Sequence, residues 1–297
     1  MKYSNETYRR HPAAIIATSG LAGVGVLLNV FVIIRIMGQG LRRSHFSKLF
    51  YLSLAVTDLV MAGCSLGYAV KSVLKFRSIF IVQKGTMIWY GATGIAWLAI
   101  TSNLFHVVAI TADRFVATTF PFTYRTLLTR TRVSIGIGCI WMISAVLVGS
   151  VALHHRIAFW FGGIGIPVGS FGIIATYACI VFVTIKRKRL QLTRTNQNQG
   201  PILPDDVINS INTIFLGLSI TMTYVVCNIP LCVVFMNYLV HDRYPNEWIS
   251  ALHCLITANA VLDPLWYTLF DLIRLKMKQR KETTTDKGRP VTMSEVK

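Results

Sequence analysis

Residues 85–112 read GTMIWYGATGIAWLAITSNLFHVVAITA, 28 positions without an Asp, Glu, Lys or Arg, and run straight into Asp113-Arg114-Phe115. A helix needs about 20 predominantly apolar residues to cross the hydrocarbon core of a bilayer. The stretch is too long for a strand and too apolar all round for a helix resting on a soluble core. It predicts a membrane-spanning helix that ends on charged residues at a water interface. Six more stretches of this kind flank it, at about 13–37, 47–74, 133–153, 157–185, 207–240 and 248–270. The fifth of the seven holds Gly162, Gly163, Gly165, Pro167, Gly169 and Gly172, and only His154-His155-Arg156 separates it from the fourth. Glycine and proline are commoner in membrane helices than in soluble ones. One alternative merges the fourth and fifth into a re-entrant hairpin. Ser150 to Lys186 has room for a tight outer turn and a full span, so seven is preferred.

Composition agrees. Of the 297 residues 53% are apolar and 14% charged, against roughly 25% charged in an average soluble domain, and the mean hydropathy is +0.54. Disorder is excluded on the same grounds. Lys plus Arg is 30 against 12 for Asp plus Glu, a net charge of +18. Assigned to alternate sides of seven spans, 21 of those 30 fall on the side of Arg114 and the C-terminus, and 9 on the other. The positive-inside rule then puts the C-terminus in the cytoplasm and the N-terminus outside. The sequon Asn5-Glu6-Thr7 agrees, as an expected glycosylation site. No cleavable signal peptide is read, because Arg9, Arg10 and Pro12 precede too long an apolar run. Basic clusters with interleaved aromatics are not seen, so nucleic acid is not expected as a partner. Lys186-Arg187-Lys188-Arg189 reads as a helix end against anionic membrane lipid. The six cysteines, Cys64, Cys139, Cys179, Cys227, Cys232 and Cys254, show no metal spacing and are expected as buried, reduced thiols.

Polar groups inside the spans are costly and so mark function. They are Asn29, Asp58, Asn103, Asn228, Asn259 and Asp263. Asn259 and Asp263, four apart, share a helix face. Pro264 frees a carbonyl one turn back for a polar neighbour.

In this order along the chain the residues resemble the rhodopsin-like (class A) G-protein-coupled receptors. Asn29 stands for the first-helix Asn, and Leu54-Ala55-x-x-Asp58 for the second-helix signature. Asp113-Arg114-Phe115 is similar to the D-R-Y motif, with Pro121, Phe122 and Tyr124 in the following loop. Trp141 stands for the fourth-helix Trp and Tyr177 for the fifth-helix Tyr. Cys227-Asn228-Ile-Pro230 is similar to C-W-x-P, and Asp263-Pro264-Leu-Trp-Tyr267 to D-P-x-x-Y. Three departures stand out: Trp89 occupies the place of the family's disulfide Cys, Asn228 that of the C-W-x-P Trp, and Ser210 that of an acidic residue near the base of helix six. The missing Cys, the short second outer loop and D-P-x-x-Y are similar to the melanocortin receptors.

The resemblance implies an all-α membrane protein: an outer tail at 1–12, a seven-helix bundle at 13–270, a short interfacial helix at 271–282 and a disordered cytoplasmic tail at 283–297. It implies a receptor in the plasma membrane that acts on heterotrimeric G proteins by outward movement of helix six, with arrestin and receptor kinase as further partners. It is not expected to be an enzyme. Asp113, Arg114, Phe115, Pro121, Phe122, Tyr124, Tyr177 and Tyr267 would form the coupling switch. Cys227, Asn228, Pro230, Asp263 and Pro264 would form the activation core. Asp58, Asn103, Asn259 and Asp263 either hold a sodium ion, a negative modulator, or serve as hydrogen-bond glue between helices. No other cofactor is expected. The pocket positions are Trp89, Thr93, Ala96, Trp97, Phe235, Tyr238, His253 and Thr257. Ala96 stands where amine receptors place Asp, and Thr257 where opsins carry the retinal Lys, so neither ligand is expected; a small molecule, lipid or peptide remains. Lys71, Lys75, Arg77 and Lys84 give a basic mouth suited to an anionic or lipid-like ligand, or are plain solvated charge. A multi-span transporter is the alternative, disfavoured by the lack of an internal repeat.

Overall fold

The structure, a computed structural model, describes residues 12–38, 46, 48–76, 87–153, 156–195, 205–241 and 249–287. Among them there is no strand, and seven long helices form the bundle. The first is Pro12–Gly38, the second Lys48–Phe76, the third Met87–Thr119 and the fourth Arg130–Leu153. The fifth runs through Arg156–Trp160, a π-helical turn Phe161–Gly165, and Ile166–Thr195. The sixth is Asp205–His241 and the seventh Ile249–Lys287. A short helix, Pro121–Leu127, follows the third. The third helix is central, packing on the second, fourth, fifth and sixth, while the first leans on the second and seventh.

The side-chain distribution is inverted relative to a water-soluble protein. Leu27, Met142 and Phe171 are each at least 70% exposed, whereas Asn29, Thr57, Ser102, His106, Ser144 and Thr257 are wholly buried. Apolar surface on this scale needs lipid around it. Six of the seven long helices are apolar and long enough to cross a membrane by composition alone. The seventh carries His253, Asn259 and Asp263 and continues into charged chain. The sequence expectation of a seven-helix bundle holds, and the fifth apolar stretch forms a single helix from Arg156 onward, not a hairpin with the fourth.

Two expectations are corrected. The seventh helix passes without a break through the boundary expected at 270/271 and runs on to Lys287, into the stretch expected as tail from 283. No Gly or Pro interrupts residues 265–287, and Gly288 follows, so nothing local stops the helix earlier. The cysteines are all free, but Cys139 and Cys179 face outward and only Cys227 and Cys232 are buried. Facing lipid costs a thiol little, so membrane helices need not bury it.

Candidate functional site

At the end of the bundle that carries Arg114, three predicted residues meet. Arg114 Nε donates to Asp113 Oδ2 at 2.9 Å, and a second guanidinium nitrogen reaches the same oxygen. Tyr124 Oη donates to Asp113 Oδ1 at 2.9 Å and accepts from Arg114 Nη2 at 3.3 Å. Pro121 starts the short helix that returns Tyr124 beneath the third; at that position its missing N–H costs nothing. Phe115 is packed against the core, whereas Phe122 is 88% exposed. Tyr177 and Tyr267 are buried, the latter with its ring centroid 5.9 Å from that of Tyr51. Arg187, expected against lipid, instead caps the third helix, bonding the carbonyl of Thr119 at 2.9 Å and that of Thr118. A cation at the last carbonyls of a helix complements its dipole.

The centre is polar and buried. Asn103 Nδ2 donates to Asp58 Oδ1 at 2.7 Å. Asp58 Oδ2, both oxygens of Asp263, and the amide oxygens of Asn103 and Asn259 are buried without a hydrogen-bond partner. A cavity of about 10 Å³ is lined by Asp58, Asn103, Tyr224, Asn228 and Asn259 among others, room for about one water-sized particle. Carboxylate and amide oxygens are the kinds of donor that hard cations take. Asn228 Nδ2 bonds the Tyr224 carbonyl at 2.9 Å, inside its own helix, beside buried Cys227. Asn29 Nδ2 donates to the Ala260 carbonyl at 2.7 Å. Ala260 lies four residues before Pro264, so this is the acceptor that proline frees. A neighbouring network is not legible from residue types. His106 Nδ1 lies 2.7 Å from the Ser102 carbonyl, so that nitrogen carries the proton. Nε2 then accepts from Ser53 Oγ at 2.7 Å, which in turn accepts from Trp141 Nε1 at 3.0 Å. Only the rotation of three helices reveals it.

At the far end the pocket candidates divide. Trp97 stacks on Phe235 (5.5 Å between ring centroids), and Phe159, which the sequence did not single out, meets both Phe235 (5.5 Å) and Tyr238 (3.9 Å). Gly162 makes this possible: a Cβ there would lie 1.8 Å from Phe235 Cδ2. His253 stacks on Tyr68 at 4.3 Å, with its Nδ1 buried and unpartnered. Thr257 Oγ1 is 2.8 Å from Ser65 Oγ and bonds the His253 carbonyl at 2.6 Å. Ala96 is half-buried. The side chains of Trp89 and Thr93, and the sequon at Asn5, lie outside the described residues.

Comparison with known proteins bears on this arrangement. Residues 28–159 match the family described as 7 transmembrane receptor (rhodopsin family). The match covers less than half of the chain and agrees with the seven-helix bundle. It is 30% identical over 133 residues to the histamine H2 receptor of Canis lupus familiaris, covering 42% of this chain and 36% of that one. It is 26% identical over 155 residues to the alpha-1A adrenergic receptor of the same organism, covering 46% and 48%. To the Homo sapiens alpha-1A adrenergic receptor it is 29% identical over 138 residues, covering 43% and 26%. The match thus spans less than half the length of these relatives. The Asp58–Asn103 pair and the Asp113–Arg114–Tyr124 knot both fall inside the matched stretch.

Proposed function

We propose that the chain is a G-protein-coupled receptor of the rhodopsin-like class, with its N-terminus outside the cell and the Arg114 end in the cytoplasm. The observation that carries the reading is the knot at Arg114. A guanidinium neutralised by its own neighbour, Asp113, and steadied by Tyr124 is a charge held in reserve. Outward movement of the sixth helix would uncover it, and it could then pair with a heterotrimeric G protein. The ligand acts only through its preference for that open state. Arrestin and a receptor kinase would follow as partners of the same face.

The relatives' names speak of histamine and adrenergic ligands, but Ala96 offers a cationic amine no counter-ion, so the ligand here is of another class. A small molecule, lipid or peptide fits the aromatic far end. Asp58, Asn103, Asn259 and Asp263 fit a sodium ion that favours the closed state, since buried carboxylates demand a cation or a proton. The decisive experiment is nucleotide exchange on a G protein by receptor reconstituted in lipid. Arg114→Ala should leave expression near normal and cut exchange by about tenfold or more, a loss of some 1.4 kcal/mol of coupling; full signalling by that variant sinks the reading. Replacing sodium by a bulky organic cation at equal ionic strength should raise basal exchange, and Asp58→Asn should remove that difference.

A further inference from the structure

The sixth helix has Ser210 where an acidic partner for Arg114 would stand, yet its Arg114 end is tied down from another side. Arg274, on the continuation of the seventh helix, donates from Nη2 to Thr213 Oγ1 of the sixth at 3.3 Å. Three residues earlier, Asp271 Oδ2 accepts from Arg35 Nε at 2.6 Å, at the end of the first helix. Asp271 and Arg274 share a helix face, so a chain of contacts runs from the first helix through the seventh to the sixth. One turn up from Thr213 is Gly217. A Cβ there would lie 2.2 Å from Tyr177 Oη and 3.5 Å from Arg114 Cγ. The face of the sixth helix that closes over Arg114 is therefore the face that Arg274 grips. Trp266 Nε1, bonded to Thr223 Oγ1 at 2.9 Å, joins the same two helices further in.

We propose that the Thr213–Arg274 contact, anchored by Asp271–Arg35, is the clamp that holds the sixth helix closed over Arg114, in place of an acidic residue at Ser210. This deepens the receptor reading and rests on it, because opening means moving the sixth helix. Arginine suits such a clamp, since its planar fork stays charged and is pre-organised for a fixed acceptor. Asp271 lies among Arg35, Lys48 and Arg274 and offsets part of their positive charge.

The test compares Thr213→Val, Arg274→Gln and the double variant with the full-length chain in lipid nanodiscs, without ligand. Amide hydrogen exchange over residues 212–218 reads opening of the sixth helix directly, and nucleotide exchange on a G protein reads its consequence. Loss of one long, part-buried hydrogen bond should raise both by roughly three- to tenfold. The double variant should go no further than either single one, because both remove the same contact. Thermal melting of each variant identifies one that fails to fold, and Arg274→Lys then replaces Arg274→Gln. Unchanged amide exchange in Thr213→Val overturns the clamp, as does additivity of the two substitutions. A fall in nucleotide exchange on Arg274→Gln with Thr213→Val silent also overturns it, since Arg274 then touches the G protein itself. A rise in amide exchange with no nucleotide exchange by any form keeps the clamp and removes the G-protein reading.

Discussion

The two ends of the bundle are held by different physics. At the Arg114 end, the ties between elements are directed bonds between polar atoms, laid over a core of packed side chains: Arg114 and Tyr124 on Asp113, Arg187 on the third helix, Arg35 on Asp271. At the far end, Trp97, Phe159, Phe235 and Tyr238 fill the space with stacked and edge-on rings. Directed bonds can be exchanged for other directed bonds, which suits a surface that must have two arrangements. Close-packed rings resist change until something of similar shape displaces or joins them, which suits the entry of a ligand. Polar recognition at one end and shape at the other is the division of labour that the proposed receptor function calls for.

That contrast can be broken by experiment. The largest effect should come from the far end. Gly162→Ala puts a methyl group into the Phe235 ring, an overpacking that costs about 1–3 kcal/mol. The purified protein should melt lower, and adding Phe235→Leu should recover most of the loss. Melting like the parent would show that the rings are loosely packed and the contrast false. Next in size is Asn29→Leu, between the two ends, which strands the Ala260 carbonyl in an apolar setting at about 1–2 kcal/mol. Thermal unfolding checks it, and no change would mean that the carbonyl finds water. The smallest is Tyr124→Phe, removing one bond from Asp113 at about 0.5–1.5 kcal/mol. Melting should hardly move while basal nucleotide exchange shifts a few-fold. A melting loss above that of Gly162→Ala would reverse the assignment of rigidity to the far end.

The sequence made some of this legible and hid the rest for one reason. Charged and polar residues in an apolar span stand out against their background, so Asp58, Asn103, Asp113, Arg114 and Asp263 could be picked out by type alone. The acceptor that Asn29 finds followed from the position of Pro264, because the geometry of a missing N–H is local. Phe159, the His106–Ser53–Trp141 network and the Arg187 cap were not legible. Each depends on how a helix is rotated about its axis, and a helix that is apolar all round carries little periodic signal to fix that rotation. The length of the seventh helix was hidden because basic residues alternating with Leu272, Ile273 and Leu275 suit an interfacial helix as well as a continuing one.

The π-helical turn at Phe161–Gly165 sets the phase of everything after it. Such a turn holds an extra residue relative to an α-helix, so the lower part of the fifth helix is turned by about 100° from where an unbroken α-helix would leave it. Ile173, Tyr177 and Ile180 are buried in the present phase, while Ala178 looks outward. Straightening the turn to α-geometry with the same residues would bring Thr176 round to the place of Tyr177 and swing the tyrosine to where Ala178 now faces, whereas deleting one glycine together with the turn would leave the tyrosine in place. Five residues beside the aromatic cluster thus decide, some 12 residues away, which side chain stands over Gly217.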